Sequence, residues 1–202
     1  MKTFLFFSML IVISIPVYAA EKTLFENGDV EYGGFSGPVV KFTTIHNKNA
    51  WLVGGRCGWI VNHTFIIGGG GYGLATDIRA SGEAHKIYPG KYLEMEMAYG
   101  GMEFEYVCMS DRLLHFSLYS LIGVGNIGYG DESFSDEDMD FDKKDTVFVI
   151  EPALNGTLNI TRWFRISAGL SYRMITDFQL AGVDKNDVSG LSATMTFRFG
   201  KF

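Results

Sequence analysis

The closing stretch Gly190-Leu191-Ser192-Ala193-Thr194-Met195-Thr196-Phe197-Arg198-Phe199-Gly200-Lys201-Phe202 decides the fold. From Leu191 to Phe199 apolar residues alternate with Ser192, Thr194, Thr196 and Arg198. A period of two predicts a strand with one apolar and one polar face. Phe197 and Phe199 share the apolar face, whereas Phe202 is out of step by one. Either Gly200 marks a small bulge or the chain end leaves the ladder.

The same period recurs along the chain. It predicts strands at about 30–46, 50–61, 64–76, 91–109, 112–128, 146–159 and 163–176, with the closing stretch as the eighth. Tight turns follow strands two, four and six, at Asn62-His63, Ser110-Asp111 and Ile160-Thr161-Arg162. Long polar connections follow strands three, five and seven, at 77–90, 129–145 and 177–189. Asn47-Lys48-Asn49 is a short exception after strand one. Short turns at one end and long loops at the other are the layout of a transmembrane barrel.

Residues 1–20 stand apart. Lys2 precedes an apolar run from Phe4 to Val17, followed by Tyr18-Ala19-Ala20. The run is roughly 14 residues against the ~20 that a bilayer requires, so it is expected to be a signal peptide. Residues 21–202 form the expected barrel domain. The sequence holds 25 Gly and only 4 Pro, which suits many strands with close backbone approach. A net charge of −6 argues against nucleic acid as a partner. Two cysteines, Cys57 and Cys108, are too few for a disulfide framework.

The polar faces carry the charges. Strand two sets Trp51, Val53, Cys57 and Trp59 on one face and Arg56 on the other. At ~3.4 Å rise and a tilt near ~40°, Trp51 and Trp59 differ in depth by roughly 20 Å, the separation of two aromatic girdles. In strand four Glu94 and Glu96 oppose Leu93, Met95, Met97 and Tyr99, while Glu103 and Glu105 oppose Met102, Phe104 and Tyr106. A bulge at Gly100-Gly101 would put all four glutamates on one face. The expected lumen cluster is then Glu31, Lys41, Arg56, Glu94, Glu96, Glu103, Glu105, Glu151, Arg165, Arg173 and Arg198, five cations against six carboxylates. Near balance is what a buried ionic interior requires. The alternative is a soluble barrel whose apolar faces point inward, as in a lipocalin-like periplasmic binder. Its interior would then have to hold Trp51, Trp59, Phe104, Tyr106, Phe116, Phe164, Tyr172 and Phe199, which is crowded for one small barrel.

Little of this reads as catalysis. His115, Ser117 and Glu151 imitate a hydrolase site, and a lipid-modifying acyl hydrolase or transferase is the enzymatic alternative. His115 and Ser117 share one strand face about 7 Å apart, which favours a structural role. The acidic loop has Asp138-x-Asp140-x-Asp142, but Lys143 and Val149 stand where a calcium loop needs glycine and glutamate. No metal or cofactor is expected; the acidic loop could bridge divalent ions weakly to lipid phosphates. The Gly68–Gly71 run lacks the Lys-Ser/Thr of a phosphate loop.

The closing strand, with its terminal Phe197, Phe199 and Phe202, resembles the sorting signal of bacterial outer-membrane β-barrels. The whole resembles the small OmpA/OmpX type. It is similar to outer-membrane barrels of the Bacteroidetes and related bacteria in Gly33–Pro38, in Val53–Trp59 and in the Phe-Gly-Lys-Phe end. The resemblance implies an all-β, eight-stranded antiparallel up-and-down transmembrane barrel in the outer membrane. It implies contact with outer-membrane lipid and lipopolysaccharide, and with the barrel-assembly machinery during biogenesis. A monomer with a structural or surface-interaction role is the expectation.

Overall fold

Eight antiparallel strands pair in chain order, and the eighth returns to the first, so the sheet closes on itself. The computed structural model describes residues 30–79, 93–131, 144–176 and 183–202. The strands are β1 (Tyr32–Ile45), β2 (Lys48–Val61), β3 (Phe65–Leu74), β4 (Leu93–Cys108), β5 (Leu114–Asp131), β6 (Lys144–Asn159), β7 (Phe164–Ile175) and β8 (Gly190–Lys201). The β1–β2 turn is tighter than expected. His46 and Asn47 alone make it, both at positive φ, as a two-residue hairpin demands. Strands β5 and β6 run further into the acidic loop than the alternation indicates. A single helical turn, α1 (Lys185–Val188), sits in what reads as plain loop; Asp184 caps it in a capping box.

The outward face is apolar. Trp51, Trp59, Leu118, Val124, Leu154, Trp163, Leu170 and Leu191 are each more than half exposed. The inward face holds Lys41, Arg56, Glu103, Glu105, Glu151, Arg173 and Arg198, each at 6% exposure or less. A water-soluble protein cannot present such a surface without associating. Lipid as solvent reverses the preference, and the barrel is therefore a membrane-spanning one. Aromatic pairs mark two levels on its outside. Near the tight-turn end Tyr32 stacks on Trp59, and Phe199 stacks on Phe164 and Trp163. Nearer the loop end Phe42 meets Trp51 with ring centres 5.0 Å apart.

Strand β4 corrects the expected bulge. Its pairing with β3 and with β5 passes through Gly100 and Gly101 without a break. Odd-numbered residues face inward throughout, so Leu93, Met95, Met97 and Tyr99 are as buried as Glu103 and Glu105. The chemistry of the two faces changes along the strand while the backbone does not. Other strands change at the same level. Toward the loop end the inward residues are Ile45, Ala50, Leu52, Ile127, Val147, Val149 and Ile175, which form one apolar cluster. The outward ones there include Asn49, Glu96, Asn126 and Thr146, all exposed. This end has the inside-out pattern of a soluble protein, because it stands clear of the hydrocarbon.

The closing strand corrects a second expectation. Pairing of β1 with β8 runs Ser36↔Phe199, Phe35↔Gly200, Gly34↔Lys201, so Gly200 makes no bulge and the ladder runs to Lys201, with Phe202 just beyond it. Phe197 and Phe199 face outward. Phe202 falls on the inward side, where its ring stacks on Phe35 at 6.1 Å and lies 4.1 Å from the Arg165 guanidinium carbon. Together with Ile60, Ile66 and Val107 these rings form a small apolar floor at the tight-turn end.

Glycines on β4 and β5 let the strands close around this interior. A Cβ at Gly101 would run into the carbonyl oxygen of Ile122, whereas a Cβ at Gly71 meets nothing within 4 Å. Gly101→Ala should lower unfolding stability in detergent by about 2 kcal/mol or more, and Gly71→Ala should change it by under about 0.5 kcal/mol. Urea titration of the heat-sensitive gel shift measures both; equal losses would contradict the close β4–β5 approach.

Candidate functional site

The lumen charges come together in two clusters, each bridging strands that are not neighbours. In the first, Glu105 on β4 takes Arg56 Nη2 from β2 at 3.0 Å and Arg198 Nη2 from β8 at 2.8 Å. Arg56 Nε donates to Glu103 Oε2 at 2.6 Å. Ser117 Oγ donates to Glu105 at 2.5 Å, while Tyr72 and Tyr119 both donate to Glu103 Oε1, at 2.6 and 2.8 Å. The arginine planes lie near aromatic faces, with Arg56 at 4.5 Å from the Tyr119 ring and Arg198 at 4.9 Å from Phe35. Charge-assisted hydrogen bonds of this number offset the loss of water around each ion.

In the second cluster Lys41 on β1 donates to both oxygens of Glu151 on β6, at 2.9 and 2.8 Å, and to the Tyr99 hydroxyl at 3.1 Å. Tyr99 and Ser171 donate to Glu151 at 2.7 and 2.6 Å. The Lys41 ammonium also sits 3.5 Å from the centre of the Tyr72 ring, a cation–π contact that couples this cluster to the first. Between the clusters a cavity of about 20 Å³ touches Lys41, Arg56, Tyr72, Tyr119, Glu151 and Ser171. That is room for about one water molecule.

Three expected members lie outside the lumen, and a fourth, Arg165, lies inside it but apart from the clusters. Glu31 precedes β1 and is exposed, and its carboxylate pairs with His63 at the β2–β3 turn. Glu94 and Glu96 are on the outward face at the loop end, because β4 keeps its phase through the glycines. The Glu94 backbone there forms an isolated antiparallel β-bridge with Arg79. Arg165 is half-buried beside Phe202, apart from both clusters. Among the described residues the lumen side therefore holds four buried cations, Lys41, Arg56, Arg173 and Arg198, and the half-buried Arg165, against the buried Glu103, Glu105 and Glu151. The near balance expected from the sequence does not hold there.

The residues that imitate a hydrolase are dispersed. Ser117 serves Glu105, Glu151 belongs to the Lys41 cluster, and His115 Nδ1 lies 3.3 Å from the Arg112 carbonyl. All three are at 2% exposure or less, so no lipid reaches them. The acidic Asp138-x-Asp140-x-Asp142 spacing and residues 1–20 lie outside the described residues. Cys57 is exposed on the outward face and Cys108 is half-buried, both as free thiols. Sequence reasoning missed the tyrosines. Tyr99 reads as part of an apolar face, and Tyr119 lies in step with His115 and Ser117, a parity that marks it as a lumen donor.

Removing the carboxylate shared by two arginines leaves Arg198 without its carboxylate partner and Arg56 with Glu103 alone. Glu105→Ala should cost about 3–5 kcal/mol in urea unfolding of the detergent-solubilised barrel, and Glu94→Gln should stay within about 0.5 kcal/mol. Comparable losses for the two would overturn the assignment of Glu94 to the outside.

No protein-family model matches the chain, and no curated protein matches it. Among solved structures it is similar to the N-terminal β-barrel domain of Pseudomonas aeruginosa OprF, at 11% identity and a TM-score of 0.47, covering 84% of this chain and 96% of that one. It is similar to Ail, the attachment invasion locus protein of Yersinia pestis, at 11% identity and a TM-score of 0.47, covering 85% and 98%. Neisserial surface protein A matches at 10% identity and a TM-score of 0.42, covering 86% and 97%. These likenesses concern the fold: a small, closed, eight-stranded up-and-down barrel.

Proposed function

We propose that the chain is a non-enzymatic protein of the bacterial outer membrane, acting as a rigid mount for surface-exposed loops. The observation that carries this reading is the filled interior. Among the described residues its charges bond across the lumen, and the cavity between the two clusters has space for about one water, which argues against a pore or a substrate pocket there. Chemistry inside would need access that Ser117 and His115 lack. What remains is the outside: an apolar band toward lipid and a loop end that carries the long connections.

In this reading residues 1–20 direct export, and Phe197, Phe199 and Phe202 present the C-terminal signal to the barrel-assembly machinery. Trp51 and Trp59 sit at the two lipid interfaces, and lipopolysaccharide surrounds the outer one. The tight turns face the periplasm and the loop end faces the exterior. Ail, one of the similar structures, has been solved with the heparin analogue sucrose octasulfate. The present chain carries an acidic segment from Asp131 to Asp145 in its second long connection, which disfavours polyanions at that loop.

Membrane fractionation should place the protein in the outer membrane, with a faster gel mobility unheated than boiled. Planar bilayers containing the purified barrel should show no conductance steps. Recovery in the soluble fraction without a mobility shift would refute the membrane barrel, and steady single-channel steps would refute the filled lumen.

A further inference from the structure

The pairing of lumen charges leaves two guanidiniums over, the half-buried Arg165 and the fully buried Arg173. Arg56 and Arg198 share Glu103 and Glu105, and Lys41 takes Glu151. Glu151 is already saturated by Lys41, Tyr99 and Ser171. Arg173 on β7 is 0% exposed, and only its Nε has a partner, the Val188 carbonyl at 2.8 Å. Its Nη1 and Nη2 have none. The Tyr99 hydroxyl interacts with Arg173 but is already engaged by Lys41 and Glu151, and its ring centre lies 5.8 Å from the guanidinium carbon. Beside it on β8, Ser192 is 1% exposed and its Oγ is also without a partner. Gly190 stands opposite Arg173 in the ladder, and a Cβ there would meet only the Thr44 carbonyl, at 4.0 Å.

A buried cation with two unused donor nitrogens is among the costliest arrangements a protein can keep. The two Nη groups form a planar fork, which matches two oxygens of one anionic group. We infer that Arg173 is the anchor of a binding site for a small soluble oxyanion, a carboxylate or a phosphate, with Ser192 as an additional donor. The anion supplies the negative charge that the described lumen lacks. The site is inside the barrel and under α1, so a lipid headgroup held at the outer surface does not reach it. Val188, 0% exposed, covers it from the loop end, and its carbonyl fixes the fork's third nitrogen. Bonds from the His46 amide to the Asp187 carbonyl, and from the Ile175 amide to Ser189 Oγ, hold that cover in place. Entry therefore requires the 183–189 segment to lift.

The test is amide chemical-shift titration of the full barrel, refolded in detergent micelles, with sodium acetate and with sodium phosphate. Sodium chloride at matched ionic strength is the control. Saturable shifts confined to Val188, Gly190 and Ser192 are expected in the wild type, and their loss in Arg173→Gln. Arg173→Lys keeps the charge without the fork and should bind about tenfold more weakly. Heat-dependent gel mobility checks that each variant folds. If Arg173→Gln does not fold, Arg173→Lys decides alone, and unchanged affinity in it overturns the site. So does an absence of saturation up to about 100 mM, which would leave water as the partner of Arg173. An equal response to chloride overturns the oxyanion assignment, and shifts that persist in Arg173→Gln place binding elsewhere.

Discussion

The ion pairs inside this barrel form across the lumen, and the rest of the architecture follows from that constraint. Glu105 joins β2, β4 and β8, and Lys41–Glu151 joins β1 to β6. No such bond can form along a single hairpin. Each becomes available only when the sheet has closed in one register. A slip of one residue would turn Arg56 or Glu105 toward lipid, at a cost no apolar contact offsets. The ionic lumen thus stabilises little on balance but excludes wrong closures, which is the use of buried charge best supported on physical grounds.

Above the ionic level the same strands build a different interior. Between Tyr99 and Glu103 the inward face of β4 changes from apolar to charged, and the outward face changes the opposite way. One backbone serves two solvents. In hydrocarbon the outside must be apolar and the interior can hold paired ions. Beyond it the outside meets water and the interior packs Met95, Met97, Leu121, Ile127, Val147 and Val149 as a soluble core does. The aromatic pair Phe42 and Trp51 lies toward this loop end on the outside.

Much of this was legible in the sequence. Strand positions, the sorting of short and long connections, and the outward set on β2 follow from period two and from turn residues. The lumen cluster was legible only in part. Lys41, Arg56, Glu103, Glu105, Glu151, Arg173 and Arg198 lie inside, as their parity requires. Glu94 and Glu96 were misplaced because a phase change in hydropathy has two physical causes, a bulge or a change of solvent, and periodicity does not distinguish them. Glu31 was misplaced because a charge just before a strand has no face. The inward turn of Phe202 follows from simple counting past Gly200, but an expected outward terminal aromatic hid it. The tyrosine donors and the isolation of Arg173 depend on distances across the barrel, which no local pattern encodes.

The apolar core at the loop end also sets a mechanical property. Strand β4 continues from Tyr99 to Leu93 beyond the charged level, a rise of roughly 15 Å at a typical tilt. Because that extension is packed with side chains rather than water, it behaves as a stiff collar. Its rim does not yield when something pulls on the connections it carries. Force applied to them is delivered to the hydrogen-bonded wall in the bilayer, and the sheet must shear before the rim can fold over.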